Sequence, residues 1–158
     1  MVIVDAEAVI RLRQVIARLA RRLNASATSE GLTPTQASVL ALIAGRGPLT
    51  HSALAELEGL NPTMLSRVVG KLDDAGLIRR VPNPVDLRSA SVEITRKGRS
   101  ANERIKAQRA AVVSACLQRL PADQAAILID ALPALEALAA ELQPGRNPAG
   151  NGSSGSSR

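Results

Sequence analysis

The chain has 158 residues, of which 46% are hydrophobic and 22% charged, and it contains no Phe, Tyr or Trp. It therefore lacks the rings on which single-stranded nucleic acids stack and those that cage a methylammonium group. The net charge is +6, and residues 60–109 hold the whole surplus with eleven Lys or Arg against five Asp or Glu, which favours a surface that binds a polyanion.

The sequence predicts a cytoplasmic protein without a metal or another cofactor. No apolar run reaches the roughly 20 residues of a membrane span, and residues 1–11 carry acids and valines where a signal peptide would carry basic residues. One Cys and one His cannot form an internal disulfide or, unaided, a Cys/His zinc site. Because the chain shows no paired-carboxylate, Cys/His or Ser/His constellation, we expect that it is not an enzyme.

The first two predicted elements are helices. Apolar residues recur every three or four positions between Val9 and Leu23, which predicts an amphipathic helix over residues 5–25. Thr33 followed by Pro34 suits the N-cap and first position of a second helix, which should end within residues 45–48.

The next two predicted helices form a helix-turn-helix. A short helix opens at Thr50 and stops at Gly59, and Asn61 followed by Pro62 signals the start of another, which ends at Gly76. Two helices joined by a Gly-containing turn of three or four residues are typical of this motif.

After the fourth helix the apolar period changes from about 3.6 to 2. Residues 77–81 and 91–95 are strand candidates, and the connection over residues 82–90 is too long and too rich in Pro for a two-residue hairpin. A basic-tipped hairpin directly after a helix-turn-helix is the wing of a winged helix.

The last predicted elements are two helices. The first runs from Lys97 to Leu120 and is expected to turn Val112, Val113 and Cys116 inward, so that the thiol is buried and inert. The second covers residues 122–142, and Pro133 should kink or weaken one of its turns.

The order of these elements, with motifs in residues 33–99, resembles the MarR family of bacterial transcription regulators. The motifs are Leu32-Thr33-Pro34-Thr35-Gln36, Leu54-Ala55, Asn61-Pro62-Thr63-Met64, Leu72-Asp73-Asp74-Ala75-Gly76-Leu77-Ile78, Asp86-Leu87-Arg88, Ile94-Thr95 and Gly98. The resemblance implies a homodimer that binds double-stranded DNA at a palindromic operator, and it covers residues 5–142 as architecture.

The predicted fold class is mainly α with a small β wing (α+β), a winged helix-turn-helix with dimerisation helices at both ends. In this division residues 1–30 are the N-terminal dimerisation helix, residues 31–98 the DNA-binding lobe and residues 99–142 the C-terminal dimerisation helices. Residues 143–158 are rich in Gly and Ser, which predicts a disordered tail.

The recognition helix, residues 62–75, is expected to enter the major groove. The DNA-binding residues predicted at this helix and its cap are Asn61, Pro62, Thr63, Met64, Ser66, Arg67 and Lys71. Arg67 is the strongest candidate for base recognition, because a guanidinium can bind guanine O6 and N7 together. A phosphate contact or an ion pair with Asp74 is the alternative.

The wing, residues 82–90, is expected to enter the minor groove. Arg88 resembles the family arginine at the wing tip, although Leu87 stands where many family wings have a second basic residue. Asp86 either anchors the wing and orients an arginine or simply caps a turn.

Further residues have several possible roles. Thr35, Ser52, Arg79 and Lys97 are predicted phosphate contacts, and His51 can touch a phosphate, titrate in a switch or cap a turn. Gly70 is unusual, because a glycine inside a helix costs about 0.8–1.0 kcal/mol relative to Ala. Close approach of the helix to DNA or to a neighbouring helix explains it, and so does neutral drift.

The predicted function is transcriptional repression relieved by a small aromatic or anionic effector, with Arg11 or Arg18 as its partner. The resemblance supplies this mechanism, and a solvated helix face is the alternative role of both arginines. Two other functions compete with it: a dimer that sequesters a partner protein without binding DNA, and a redox-responsive regulator that acts through Cys116.

Overall fold

The computed structural model describes residues 5–25, 30–83, 85–86 and 89–142. Its elements are α1 (Ala6–Ala25), α2 (Pro34–Arg46), β1 (Leu49–Thr50), α3 (His51–Glu58), α4 (Pro62–Asp74), β2 (Ile78–Pro82), β3 (Ala90–Ile94), α5 (Arg96–Leu117), α6 (Ala122–Asp130) and α7 (Leu132–Glu141). The chain divides after Ser114 into two compact units. The tail predicted over residues 143–158 lies outside the described residues.

Capping side chains start three of the helices where the sequence predicts them. At α2, Thr33 Oγ1 accepts a hydrogen bond from the Gln36 N–H (3.2 Å) and Gln36 Oε1 accepts one from the Thr33 N–H (2.9 Å). This is a complete capping box. Thr50 Oγ1 accepts a hydrogen bond from the Ala53 N–H (3.2 Å) to cap α3, and Asn61 Oδ1 accepts one from the Met64 N–H (2.8 Å) to cap α4. The predicted helix starts are therefore confirmed.

The sheet has three antiparallel strands in the order β1-β3-β2. Val92 pairs with Leu49 of β1 on one side and with Arg80 of β2 on the other. The prediction of two wing strands is confirmed. The first lies one residue later in the chain than predicted, and the second lies one residue earlier. The sequence did not indicate β1, because two residues are too few to show a period.

A single hydrophobic core fills the lobe formed by α2, α3, α4, the sheet and the start of α5. Its largest fully buried side chains come from the helices α2, α3 and α4 and from the strands β2 and β3. They are Val39, Leu40, Ile43, Leu54, Leu65, Val69, Leu72, Ile78 and Val92. This lobe confirms the predicted winged helix-turn-helix, mainly α with a small β wing.

The first turn of α5 packs directly on the turn between α4 and β2. Gly98 is buried there, and a Cβ at this position would overlap the Leu77 carbonyl oxygen. Thr95 Oγ1 accepts a hydrogen bond from the Gly98 N–H (3.0 Å) and donates one to the Gly76 carbonyl (2.7 Å). Lys97 Nζ donates to the Ala75 carbonyl at 2.8 Å. The end of α4 is thereby fixed to the start of α5.

An ion pair links the residues before α2 to the middle of α5. Arg104 Nε and Nη2 donate to the two carboxylate oxygens of Glu30 at 2.9 and 3.0 Å, across 74 residues of sequence. These hydrogen bonds and the positive charge hold the pKa of Glu30 below its ordinary value.

The second half of α5 differs from the prediction. The last residue of α5 in the core is Ile105, and Val112, Val113 and Cys116, which we predicted to point inward, are exposed. The prediction of a buried thiol is therefore wrong for the single chain. Cys116 Sγ accepts a hydrogen bond from Arg119 Nη2 at 3.4 Å.

Pro133 has a stronger effect than a kink. The predicted last helix is two helices, α6 and α7, separated at Ala131. A proline lacks the N–H that would bond to the carbonyl four residues earlier, and its ring clashes with that carbonyl. It is instead accommodated in the first turn of α7, where no such bond is required.

Among the described helices, α1, α6 and α7 contain no buried residue. On α1, six large apolar side chains are between 41% and 58% exposed, namely Val9, Ile10, Leu12, Val15, Ile16 and Leu19. Exposed apolar residues of α6 and α7 include Ile127, Ile129 and Leu132. Within the part of the chain that the structure describes, no helix has the length and apolarity to cross a membrane.

The packing at Gly98 predicts that Gly98→Ala destabilises the protein by about 1–3 kcal/mol, the usual cost of overpacking, although Ala is the better helix former. Urea denaturation should detect the change. Gly45→Ala is the matched control, because a Cβ at Gly45 of α2 meets no atom within 4 Å. Equal stability of Gly98→Ala and wild type would contradict the close contact.

The ion pair at Glu30 predicts a pH-dependent effect of Glu30→Gln. Because the pKa of this carboxyl is lowered in the folded state, its contribution is present above the ordinary glutamate pKa of about 4.3 and is lost as the pH falls through the lowered value. Glu30→Gln should therefore lower Tm at neutral pH and have no effect at strongly acidic pH. A difference in Tm that persists at strongly acidic pH would refute this role.

Candidate nucleic-acid interface

Helix α4 presents one face to the core and the other to solvent. Leu65, Val69 and Leu72 are buried, and the residues of the opposite side are exposed or, at Gly70, half-buried. The predicted positions Pro62, Thr63, Met64, Ser66, Arg67 and Lys71 are all exposed. The helix therefore holds these side chains at the surface while the core fixes its orientation.

Arg67 is a free cation on this face. Among the described residues it forms no hydrogen bond or ion pair, so the pair with Asp74 that the sequence allowed is not present. Asp73, the neighbouring acid, lies 3.6 Å from Arg80 Nε instead. The Arg67 guanidinium is thus available to a ligand outside the chain.

Two of the predicted phosphate contacts have partners within the chain. Arg79 donates to Glu93, which faces it in the register of β2 and β3, and Lys97 Nζ binds the Ala75 carbonyl. Neither partner follows from the helix and strand periods alone, because both depend on tertiary contacts. Once the strand register is known, however, Arg79 and Glu93 form an ordinary cross-strand charge pair.

Arg80 is a basic residue that was not among the predicted contacts. Successive residues of a strand point to opposite faces, so Arg79 and Arg80 of β2 cannot face the same side. Arg79 pairs with β3, and Arg80 approaches Asp73 at the end of α4. The period of two in a β-strand could have shown from the sequence that these two arginines have different surroundings.

The remaining predicted contacts lie near the starts of helices. Asn61 uses its side-chain oxygen to cap α4. Ser52 is exposed in the first turn of α3, whereas Thr35 in α2 and His51 in α3 are half-buried. Short polar side chains and N–H groups at helix starts are common partners of phosphate oxygens.

The base of the wing is closed by hydrogen bonds between Asn83 and Ser89. Asn83 donates from its backbone N–H to the Ser89 carbonyl (3.2 Å) and from Nδ2 to Ser89 Oγ (3.0 Å). Asn83 Oδ1 also accepts from the Val85 N–H, and the Asp86 carbonyl accepts from the Ser89 N–H and Oγ. Asp86 thus helps to close the turn through its main chain. Arg88 lies outside the described residues.

The predicted effector residues Arg11 and Arg18 are exposed on α1. A cleft of about 310 Å³ lies elsewhere in the lobe, between the end of α2, the sheet and the start of α5. Its lining includes Pro48, Arg79 and Arg99, but neither Arg11 nor Arg18.

Known proteins share this arrangement. The sequence profile of the MarR family matches residues 32–90. An HTH-type transcriptional regulator of Mycobacterium leprae (strain TN) is 34% identical over 116 residues, which cover 73% of this chain and 79% of the relative. The HTH-type transcriptional repressor MdtR of Bacillus subtilis (strain 168) is 29% identical over 99 residues, 63% of this chain and 64% of that protein.

A solved structure agrees with these sequence matches. The crystal structure of a MarR mutant from E. coli superposes with a TM-score of 0.71 at 24% identity, covering 86% of this chain and 99% of that chain. At this identity the superposition supports the fold alone. With the relatives above, the helix-turn-helix and the wing confirm that the chain belongs to the MarR family of DNA-binding transcription regulators.

Proposed function

We propose that the protein is a cytoplasmic homodimeric repressor that binds a palindromic duplex operator and releases it when a small effector binds. The solvent face of α4 carries the proposal, because Arg67 on this face has no partner among the described residues while Leu65, Val69 and Leu72 fix the helix to the core.

The dimensions and chemistry of α4 suit a major groove. Its 13 residues span about 20 Å, and the groove is about 12 Å wide. Arg67 would bind guanine O6 and N7, Thr63 and Met64 would contact thymine methyl groups, and Ser66 would bond to a base or a phosphate. Lys71 would bind phosphate. Each lobe of the dimer would bind one half-site, with half-sites about one helical turn apart.

The wing would supply the second contact. Arg88 is the proposed minor-groove residue, since a narrow A·T-rich groove attracts a guanidinium electrostatically. The hydrogen bonds between Asn83 and Ser89 support this role because they hold the two ends of the wing loop together. Thr35, Ser52 and Asn61 would position the lobe through phosphates, as would the exposed parts of Arg79 and Lys97.

The proposed dimer would cover helices that the single chain leaves exposed. A surface helix normally buries its apolar stripe, yet α1, α6 and α7 bury no residue. A second copy of the chain is the occupant that family membership supports, and contiguous apolar patches of this kind mark interfaces.

Release by an effector requires a ligand that binds more tightly to a lobe spacing that does not fit DNA. Arg11 and Arg18 are proposed partners for an anionic group, because both are exposed and neither has an intramolecular partner among the described residues. Cys116 is exposed in the single chain, and oxidation of its thiol is a second candidate for control.

Arg67→Ala tests DNA recognition. Loss of one bidentate guanine contact in each half-site should weaken binding to a duplex selected from a random pool by about 1–3 kcal/mol per half-site and relax the preference at one base pair of each half-site. Arg21→Ala, which removes an equal charge from α1, should bind as the wild type does.

If the dimer makes about six to ten phosphate contacts, wild-type affinity should fall about 10³–10⁵-fold between 50 and 200 mM salt. Binding without salt or sequence dependence, unchanged by Arg67→Ala, would exclude the regulator function.

The double substitution Leu12→Asp/Ile16→Asp tests the dimer. Two carboxylates on the apolar face of α1 should convert a dimer of twice 16.5 kDa into monomers and abolish binding to the selected duplex, because burying unpaired charges is costly. Gln14→Asp, on the polar side of the same helix, should leave the mass unchanged. Light scattering after gel filtration gives the masses. A monomeric wild type, or a dimer that survives both aspartates, would rule out this interface.

A further inference from the structure

Gly70 lies in the middle of the solvent face of α4. Each residue of an α-helix turns about 100°, so Gly70 shares its face with Thr63, seven positions earlier, and Arg67, three positions earlier. The buried residues of the helix are on the opposite side. Gly70 is therefore a gap in the surface that would meet DNA.

The fold itself does not require a glycine at this position. Gly70 is not among the described glycines with a positive φ, and a Cβ added to it would meet no atom within 4 Å. Close approach of a neighbouring helix of the chain therefore does not explain why position 70 is a glycine. Gly98, in contrast, packs against the Leu77 carbonyl. Because Ala is preferred to Gly inside a helix, the chain would fold more stably with Ala at position 70.

The charges along the face limit where DNA can lie against α4. Arg67 and Lys71 flank Gly70, whereas Asp74 occupies the same face one turn later. A carboxylate near the negative end of the helix dipole repels phosphate. The surface that contacts DNA therefore ends within the turn that contains Gly70.

We propose that Gly70 is a positioning residue for DNA recognition, and the inference rests on the proposed binding of duplex DNA by α4. Without a side chain at this point, the backbone of α4 comes into contact with the wall of the major groove. This contact sets the depth at which Arg67 meets the bases. The depth matters because donor–acceptor distances of a good hydrogen bond vary by only about 0.5 Å.

The experiment uses Gly70→Ala and Gly70→Gln in the full chain, with Gly45→Ala and Gly45→Gln as matched controls. Gly45 is an exposed glycine of α2 whose Cβ would also meet no atom within 4 Å. Both Ala variants should keep or raise Tm, by up to about 2–4 °C. Only the Gly70 variants should lose affinity for the duplex that the wild type selects from a random pool.

The expected loss for Gly70→Gln is about 5–150-fold per half-site, which corresponds to one broken arginine–guanine contact in each half-site, with a smaller loss for Gly70→Ala. In an Arg67→Ala background the same substitutions should have almost no further effect, because the contact they displace is already absent. A purely structural role of Gly70 would lower Tm and would not depend on Arg67.

Three results would overturn the inference while leaving the proposed function in place. These are a loss below threefold for Gly70→Gln, an equal loss for Gly45→Gln, and the same loss in both Arg67 backgrounds. If the wild type selects no duplex from the pool, the proposed function fails and the inference fails with it.

Discussion

The arrangement of the lobe depends on one close contact, in which the first turn of α5 lies against the backbone between α4 and β2. Only a residue without a Cβ fits at Gly98, where the helix meets the Leu77 carbonyl. Thr95 and Lys97 satisfy the carbonyls of Gly76 and Ala75 at the same point. The end of α4, the start of β2 and the start of α5 are thus joined, so a movement of α5 would carry α4 with it.

The arginines of the lobe differ in whether an acidic side chain lies beside them. Arg79, Arg80 and Arg104 lie beside Glu93, Asp73 and Glu30, whereas Arg67 has no partner among the described residues. These pairs are at the surface, where an ion pair contributes little to stability. Their larger effect is to fix side-chain positions, so that the basic surplus is not spread evenly over the lobe.

Local signals predicted much of this fold. Helix starts are indicated by Thr33, Thr50 and Asn61, because a side-chain oxygen can accept a hydrogen bond from an N–H group that the helix leaves unpaired. The period of the apolar residues then identifies the buried face of α4. What the sequence could not show depends on distant partners. The pairing of Arg79 with Glu93 requires the strand register, and apolar periodicity at Val112 and Val113 does not say whether the same chain covers them.

The placement of the buried residues also bears on how the protein forms. Among the residues that the structure describes, the whole hydrophobic core lies between Leu32 and Ile105, and α1, α6 and α7 bury nothing. The lobe can therefore collapse in a first-order step, whereas α1, α6 and α7 gain tertiary stabilisation only when another surface covers them. If that surface belongs to a second chain, completion of the structure is second order in protein concentration. Newly made chains would then pass through a period in which the lobe is folded but α1, α6 and α7 are open to proteases.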